Sequence, residues 1–279
     1  MSKMPLAPTD APVWDIDLFD NPASTMATLK ASGKIVVCYF SAGTAEDWRD
    51  DYRDFAAADL GKVLPEWPNE KWIRTGSQSI RNIMAKRIKL AADKGCDAID
   101  PDNTDGYQND NGLKLTSSDA INYMLWMQAE AKKYNMKIGL KNSLDIVSSL
   151  ASTVDFAVNE QCAALGECRA YEQFLALNKP VFHIEYPTPL NAQAAKGVSC
   201  TSVGVNGTST ILKNLQLDGD THPPTEAFKT TNDTYTELFS SCDTSQTIDH
   251  DTTFSAAAEP SLVNAKTAYE YTGWWKWWV

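Results

Sequence analysis

Short apolar runs alternate with amphipathic segments along most of the chain, and polar residues follow each run. The runs predict seven strands, which begin at Val13, Lys34, Asp97, Lys137, Val154, Pro180 and Ser209. A helical period lies between several of them, most clearly in 79–94, which Gly95 ends, and in 117–134. Strands that alternate with helices predict a parallel sheet, and the chain length favours an α/β barrel of the (β/α)8 TIM type. One strand of the eight is missing, so two sheet edges are expected to be unpaired.

The remaining segments divide the chain further. Residues 46–75 are rich in Trp, Asp and Arg, and we expect a helix in 48–58 with irregular structure after it. We predict a disordered segment in 1–12, the barrel in 13–220 and an extension in 221–279. That extension ends in W-W-K-W-W, for which packing on an exposed sheet edge, polymer binding and disorder all remain open.

Composition excludes several classes of function. The chain has 279 residues with 25 Lys and Arg against 36 Asp and Glu, giving a formal charge of −11. Such an acidic chain is not expected to bind nucleic acid, and it suits a neutral or cationic substrate. No apolar run approaches the ~20 residues of a membrane helix, so no membrane partner is expected. The first 12 residues hold no apolar region typical of a signal peptide, which suggests a chain truncated at its N-terminus.

One acidic stretch stands at the centre of the pattern, D-A-I-D-P-D-N-T-D-G-Y in 97–107. It continues a buried strand, and it places Asp100 and Asp102 on the same face because strand residues alternate. Asp105 follows closely. Crowded carboxylates repel one another, which a fold tolerates where catalysis or a ligand uses the charge. The alternative is a solvated turn, since Asp, Asn, Pro and Gly all favour turns.

Polar residues at the strand ends should converge on the mouth of a barrel. They are Asp15, Asp17, Tyr39, Asp102, Asp105, Lys141, Asn142, Glu160 and Glu185. The sequence shows no nucleophile–histidine triad, no zinc-ligand spacing and no glycine-rich phosphate loop, so we expect neither metal nor cofactor. Paired carboxylates are what glycoside hydrolysis requires, one as acid and one as nucleophile or base. Aromatic side chains supply faces for sugar rings, although most of them, taken singly, are expected in the core.

Cysteines and glycan acceptor triplets bear on the compartment. The predicted disulfides are Cys162 with Cys168 and, as a second pair, Cys200 with Cys242. Cys38 and Cys96 lie in apolar runs, where we expect buried thiols. N-glycan acceptor triplets begin at Asn206 and Asn232, so a secreted form is expected to be a glycoprotein. Together these features favour a secreted or cell-wall-associated protein.

The chain closely resembles glycoside hydrolase family 114, the endo-α-1,4-polygalactosaminidases, from about Trp14 to Asp218. The resemblance rests on D-I-D-L-F-D (15–20), C-Y-F-S-A-G (38–43), P-D-N-T-D-G-Y (101–107), G-L-K-N (139–142), N-E-Q-C (159–162), E-C (167–168) and I-E-Y (184–186). It implies a (β/α)8 barrel and, as partner, an α-1,4-linked polysaccharide rich in galactosamine. It also implies that Asp102 is the nucleophile and Glu160 the acid/base. The implied substrate-binding residues are Asp17, Tyr39, Asp105, Tyr107, Lys141, Asn142 and Glu185.

The chain departs from the family pattern in two places. Only 13 residues precede Trp14, and they lack the Trp/Gln-rich first strand of family members; the Trp-rich tail is not a family feature. Two other functions stay open: a catalytically weak carbohydrate-binding or wall-associated protein, and a hydrolase of another α-galactoside-like substrate. We expect a monomer and retention of anomeric configuration, with the Asp102 and Glu160 carboxyls ~5–5.5 Å apart. We also expect burial and the charge of Asp102 to keep Glu160 protonated.

Overall fold

Seven parallel strands form the main sheet of the protein. The computed structural model describes residues 11–187 and 197–213. Within them the strands are β1 (Val13–Asp17), β2 (Ile35–Ser41), β3 (Thr44–Glu46), β4 (Leu60–Val63), β5 (Glu70–Ile73), β6 (Ala98–Asp102), β7 (Lys137–Lys141), β8 (Phe156–Glu160), β9 (Val181–Glu185) and β10 (Ser209–Leu212). The main sheet runs β1-β2-β6-β7-β8-β9-β10, curled as a barrel that lacks one strand in the described residues. All seven predicted strands and the fold class are confirmed.

Helices connect these strands on the outside of the sheet. They are α1 (Ala23–Ala31), α2 (Gln78–Lys94), α3 (Ser117–Lys132), α4 (Val147–Leu150), α5 (Cys162–Leu165) and α6 (Glu172–Ala176). Gly95 ends α2 with φ 89°, a left-handed conformation that glycine adopts without strain. Thr116 begins α3 with a capping box, in which its hydroxyl accepts from the Asp119 N–H and the Asp119 carboxylate accepts in return.

The two faces of the sheet divide the core. Outward residues such as Ile16, Cys38 and Ile99 pack against the helices. Inward residues form a separate apolar floor inside the curled sheet, consisting of Val13, Val37, Ala98, Phe156, Val158, Phe182, Ile184 and Ile211. Gly139 also faces this floor, where an added Cβ would lie 2.3 Å from the Phe156 ring. The functional side chains lie above the floor, at the carboxyl ends of the strands.

The helix predicted in 48–58 is wrong. The segment after β2 instead forms a three-stranded antiparallel sheet in the order β3-β5-β4, with only short 3-10 turns at Tyr52–Asp54 and Ala57–Asp59. Its Arg49 makes a tertiary ion pair with a residue on another strand, Asp17, besides a local pair with Glu46. Arg49 is buried and pairs with Glu46 at 3.1 Å and with Asp17 at 2.6 Å. The tertiary partner Asp17 therefore helps to fix the conformation of this segment, and a helical period within the segment does not reveal that partner.

Disulfides confirm one cysteine prediction and correct another. Cys162 and Cys168 are bonded as predicted. Cys38 and Cys96 are also bonded and are not buried thiols, because the pairing of β2 with β6 brings their Cα atoms to 6.0 Å. Cys200 is disulfide-bonded as well, and its predicted partner Cys242 lies outside the described residues. Two disulfides therefore hold the sheet and the loop after β8.

Parts of the sequence predictions lie outside the described residues. These are the segment 1–10, the extension in 221–279 with its Trp-rich tail, and the acceptor triplet at Asn232. The domain boundaries therefore remain predictions. The triplet at Asn206 is described, and Asn206 is exposed before β10. In the described part of the chain, none of the helices is both long and apolar enough to span a membrane.

Candidate active site

Three neighbouring strands end in charged residues that meet at one edge of the sheet. Asp102 ends β6, Lys141 ends β7 and Glu160 ends β8. Lys141 Nζ lies 3.2 Å from Asp102 Oδ1 and 3.3 Å from Glu160 Oε2. Those two oxygens are therefore at most about 6.5 Å apart, the sum of the two distances. The two carboxylates predicted to be catalytic thus face each other across one ammonium group.

The chain turns sharply after each of these residues. Asn103, Asn142 and Gln161 follow them directly, and all three have positive φ, at 59°, 48° and 65°. Asparagine tolerates this left-handed region better than most residues, which explains two of the three positions. Gly43 packs against the first turn, where an added Cβ would lie 1.7 Å from the Asn103 carbonyl oxygen. These turns end the strands and leave the preceding side chains in the mouth.

Asp102 accepts three hydrogen bonds or ion pairs as a carboxylate. The Tyr39 hydroxyl donates to Oδ2 at 2.7 Å, and the Asn103 backbone N–H donates to Oδ1 at 2.7 Å. Lys141 donates to Oδ1. Burial and the negative charge of Asp102 raise the pKa of Tyr39 well above its ordinary value, so the phenol stays a donor. Asp102 is therefore held in one orientation by three donors.

Glu160 lies in a similar set of donors. Tyr186 donates its hydroxyl to Oε1 at 2.5 Å, and the Asn142 amide donates to Oε2 at 3.2 Å. Burial alone raises the pKa of Glu160, but Lys141 and these donors outweigh it, so the pKa is lowered. The expectation that Glu160 is protonated is therefore wrong for the free protein. That expectation considered burial and the charge of Asp102, but not the ammonium of Lys141, which pairs with Glu160.

Lys141 itself is buried and charged. Its side chain is 5% exposed, and its Nζ lies 5.6 Å from the centre of the Tyr39 ring. Burial lowers the pKa of Lys141, but Asp102, Glu160, Asp100 and Tyr39 raise it well above the ordinary value. The ammonium is thus a permanent positive charge at the centre of the site, and it lowers the repulsion between the two carboxylates.

The loop after β6 carries two further predicted residues. Burial, followed by the charge of Asp102, raises the pKa of Asp105 to about 6. The hydroxyl of Tyr107 donates to Asp145, which also accepts from the Gln108 amide at 2.7 Å. Burial and Asp145 together raise the pKa of Tyr107. This loop is therefore fastened to the loop after β7, on the same side as Lys141 and Asn142.

Two predicted substrate-binding residues are held by other partners. Asp17 accepts from Arg49 at 2.6 Å and from the backbone N–H groups of Phe19 and Asp20. Glu185 Oε1 accepts from the Ala163 N–H at 2.8 Å and contacts His183 Nε2 at 2.7 Å. In the described part of the chain, neither carboxylate is bonded to Asp102, Lys141 or Glu160. Their predicted contact with substrate stays a prediction.

Sequence reasoning missed two inward residues of the site. Tyr186 bonds Glu160, and Lys213 follows β10 with a pKa that burial lowers to about 8. The signal for both was the two-residue period of a strand. Ile184 and Ile211 belong to the inner floor, so the residues two positions later, Tyr186 and Lys213, share their inward face.

One group of side chains in the described residues has the spacing of metal ligands. Cys162, Cys168 and His183 have ligand atoms within 4.8 Å of one another. The two cysteines form a disulfide, and metal binding needs thiolates. His183 is already bonded to Thr210 and Glu185. This group is therefore structural.

Comparison with known proteins supports the fold described above and identifies the family. The model of glycoside-hydrolase family GH114 matches residues 2–229. The crystal structure of Aspergillus fumigatus Ega3 in complex with galactosamine is 46% identical with a TM-score of 0.72, covering 75% of this chain and 86% of that one. The glycoside hydrolase domain of PelA from Pseudomonas aeruginosa shares the fold at 14% identity and a TM-score of 0.61, covering 75% and 90%. The search of curated proteins found no match. With its family model matched over most of its length, the chain belongs to the glycoside hydrolases of family GH114.

Proposed function

We propose that this protein is an endo-glycoside hydrolase that cleaves α-1,4-linked polysaccharide rich in galactosamine. The observation that carries the proposal is the Asp102–Lys141–Glu160 group, at the mouth of a chain 46% identical to a protein crystallised with galactosamine. An amino sugar without its acetyl group is a cation. The formal charge of −11 and the acidic mouth favour such a substrate.

The reaction assigns one role to each carboxylate. Asp102 attacks the anomeric carbon while the bond to the leaving sugar breaks, and the leaving oxygen takes a proton from Glu160. Glu160 then removes a proton from water, and the resulting nucleophile displaces Asp102 from the anomeric carbon. The limit of about 6.5 Å between their nearest oxygens supports this retaining scheme, because an inverting pair is ~6.5–9.5 Å apart.

Glu160 must gain its proton when substrate binds. In the free protein the charge of Lys141 lowers the pKa of Glu160. A sugar that displaces water from the mouth removes solvation from the carboxylate and raises that pKa. Glu160 is therefore a base in the resting protein and becomes an acid in the complex.

We assign substrate contacts to the residues that border this pair. Asn142 and Tyr39 reach the two carboxylates directly, and Asp105 and Tyr107 lie on the adjacent loop. Asp105 offers a carboxylate to an ammonium group of the substrate. We also propose that the protein acts outside the cell, because its disulfides need an oxidising compartment. We propose further that it acts as a monomer, without nucleic acid or membrane as partner.

A degradation assay on defined polymers tests the proposal. The protein is incubated with deacetylated α-1,4-galactosaminan, with its fully N-acetylated form and with other α-linked galactosides. We expect oligosaccharides of several lengths from the deacetylated polymer, detected by mass spectrometry. Cleavage of another galactoside in preference to the amino polymer would redirect the substrate assignment. Binding without cleavage would support a carbohydrate-binding protein instead.

A further inference from the structure

Two buried carboxyl groups lie beneath the candidate active site, between its charged residues and the apolar floor. Asp15 is on β1 and Asp100 on β6, with β2 between them. Asp100 precedes Asp102 by two residues and shares its inward face, while Asp15 follows the floor residue Val13 in the same way. Asp15 is 0% exposed and Asp100 is 1% exposed. Neither carboxyl group can be stabilised by water from the surface.

The hydrogen-bonding partners of this pair are incomplete. Among the described residues, no group bonds either oxygen of Asp15 or Oδ1 of Asp100. No donor in this part of the chain reaches these oxygens, and the two carboxyl groups act on each other: after burial, the charge of Asp100 raises the pKa of Asp15 most, and a hydrogen bond between the two groups raises the pKa of Asp15 and lowers that of Asp100. Two carboxylates offer only acceptors, so this contact is repulsive unless one of them carries a proton. A proton held between them turns the contact into a strong hydrogen bond.

The charges that face the pair argue for one negative charge rather than none. Lys141 on β7 and Lys213 after β10 favour an anion here. Asp102 on the same strand as Asp100, and Glu160 on β8, oppose a second one. Tyr39 on β2 faces the same space as a neutral phenol. In return, Asp100 is among the charges that keep Lys141 protonated.

We propose that Asp15 and Asp100 share one proton and act as a single monovalent anion that positions the ammonium of Lys141 between Asp102 and Glu160. Burial raises the pKa of Asp15 well above its ordinary value and that of Asp100 to about 7. We place the proton on Asp15 and the charge on Asp100, because Lys141 is the strongest charge acting on Asp100, whereas Asp100 itself is the strongest charge acting on Asp15. Both are positioning residues, because they act on the reaction through Lys141.

A spectroscopic experiment tests the shared proton without any substrate. Infrared difference spectra compare the wild-type protein with Asp15→Asn at pH ~8.5, where carboxyl groups with pKa values near 6 or 7 have ionised. We expect one C=O band of a protonated carboxyl in the wild type, sensitive to deuterium and lost in the variant. A wild type without such a band, or a band that survives in Asp15→Asn, would overturn the proposal. This result does not depend on the proposed substrate.

Kinetics of the single and double variants test the monovalent charge and rest on the proposed function. Asp15→Asn keeps the charge on Asp100 and should lower kcat less than roughly fivefold, whereas Asp15→Asn/Asp100→Asn should lower it roughly 100-fold with little change in KM. If each carboxylate carried its own charge, Asp15→Asn alone would lower kcat strongly, and the effects of the two substitutions on kcat would be additive. If the pair were neutral, the kcat of the double variant would be close to that of the single variants. Either pattern would overturn the proposal.

Controls separate this effect from loss of the fold. Asp93→Asn removes an exposed carboxylate on α2 and should leave kcat unchanged. Circular dichroism and thermal unfolding show whether each variant folds. If the double variant does not fold, the infrared band and the activity of Asp15→Asn still decide the question. If no variant and no wild type cleaves galactosaminan, the proposed function fails while the infrared result still stands.

Discussion

Lys141 Nζ lies 3.3 Å from Glu160 Oε2, so the residue proposed as acid is paired with a buried ammonium in the free protein. This contact, with that to Tyr186, keeps Glu160 ionised at rest although the residue is partly buried. The state of Glu160 is therefore set by Lys141. Substrate binding must change this balance before the leaving oxygen can be protonated.

The pH dependence of a Lys141 variant tests this relationship. An acid is active only when protonated, so kcat/KM falls as pH rises through the pKa of Glu160 in the free protein. Lys141→Met removes the charge that lowers this pKa. We expect the alkaline limb of kcat/KM to move about one unit towards higher pH, together with a lower maximum. Lys89→Met on the exposed side of α2 serves as the matched control. A limb that stays in place or moves to lower pH would contradict the role given to Lys141.

Isosteric substitution of either carboxylate should abolish cleavage. Asp102→Asn removes the proposed nucleophile, and Glu160→Gln removes the proton proposed to reach the leaving oxygen, while both keep the size of the side chain. We expect kcat to fall at least ~10³-fold in each variant with an unchanged circular dichroism spectrum. Product formation is followed by mass spectrometry on deacetylated polymer. Substantial activity in both purified variants would remove the assignment of these two residues.

The strand pattern placed Asp102 and Glu160 among nine candidate residues, because parallel strands bring their carboxyl ends together, and the resemblance to the family singled out this pair. Asp102 and Glu160 could be located without any side-chain contact, since each follows a recognisable buried run. The protonation state of Glu160 could not be predicted from the sequence, because it depends on where the flexible side chain of Lys141 places its ammonium. Tyr186 lay within reach of the same reasoning, and the two-residue period identifies it once Ile184 is known to face inward.

Other features depend on contacts distant in sequence. The bond between Cys38 and Cys96 spans 58 residues and forms because β2 and β6 are neighbours. Neither of the two apolar runs, taken alone, predicts this disulfide. Residues 46–75 gave the wrong secondary structure for the same reason, since Arg49 is fixed by Asp17 at the end of β1. A helical pattern within one segment does not reveal an ion-pair partner that lies on another strand.

The two disulfides should differ in their effect on stability. Cys38–Cys96 closes a loop of 58 residues, and Cys162–Cys168 one of 6. In the chain-entropy description, the longer loop contributes about 2 kcal/mol more to the free energy of unfolding. We therefore expect Cys38→Ala/Cys96→Ala to lose more stability than Cys162→Ala/Cys168→Ala in guanidinium unfolding. Equal losses, or a larger loss for the short loop, would show that native packing outweighs chain entropy here.

The ionisation of Asp105 should make the free energy of unfolding depend on pH in a known direction. Burial and Asp102 raise its pKa to about 6, above the ordinary value of 3.8 in the unfolded chain. Its contribution is thus fully present below the unfolded pKa and is lost as pH rises through about 6. Asp105→Asn cannot ionise, so its free energy of unfolding relative to wild type should rise by about 2 kcal/mol from pH ~4 to pH ~7.

Urea unfolding at several pH values measures this difference for Asp105→Asn. The exposed Asp93→Asn variant is the control, and its difference from wild type should stay constant with pH. A constant difference for Asp105→Asn as well would mean that Asp105 is solvated in the folded protein. The loop after β6 would then be more open than its contacts with Asp145 indicate.

The stereochemistry of the first product tests the roles of both carboxylates. Asp102 and Glu160 end strands separated only by β7, and Lys141 limits their nearest oxygens to about 6.5 Å. A water molecule between an inverting pair needs ~6.5–9.5 Å between the carboxyls, whereas direct attack needs ~5–5.5 Å. We therefore expect retention, so that an α-linked oligosaccharide first gives an α-configured product. Proton NMR of the anomeric signals, recorded before mutarotation, distinguishes the two. A β-configured first product would make Asp102 a base that acts through water, and the covalent intermediate would have to be abandoned.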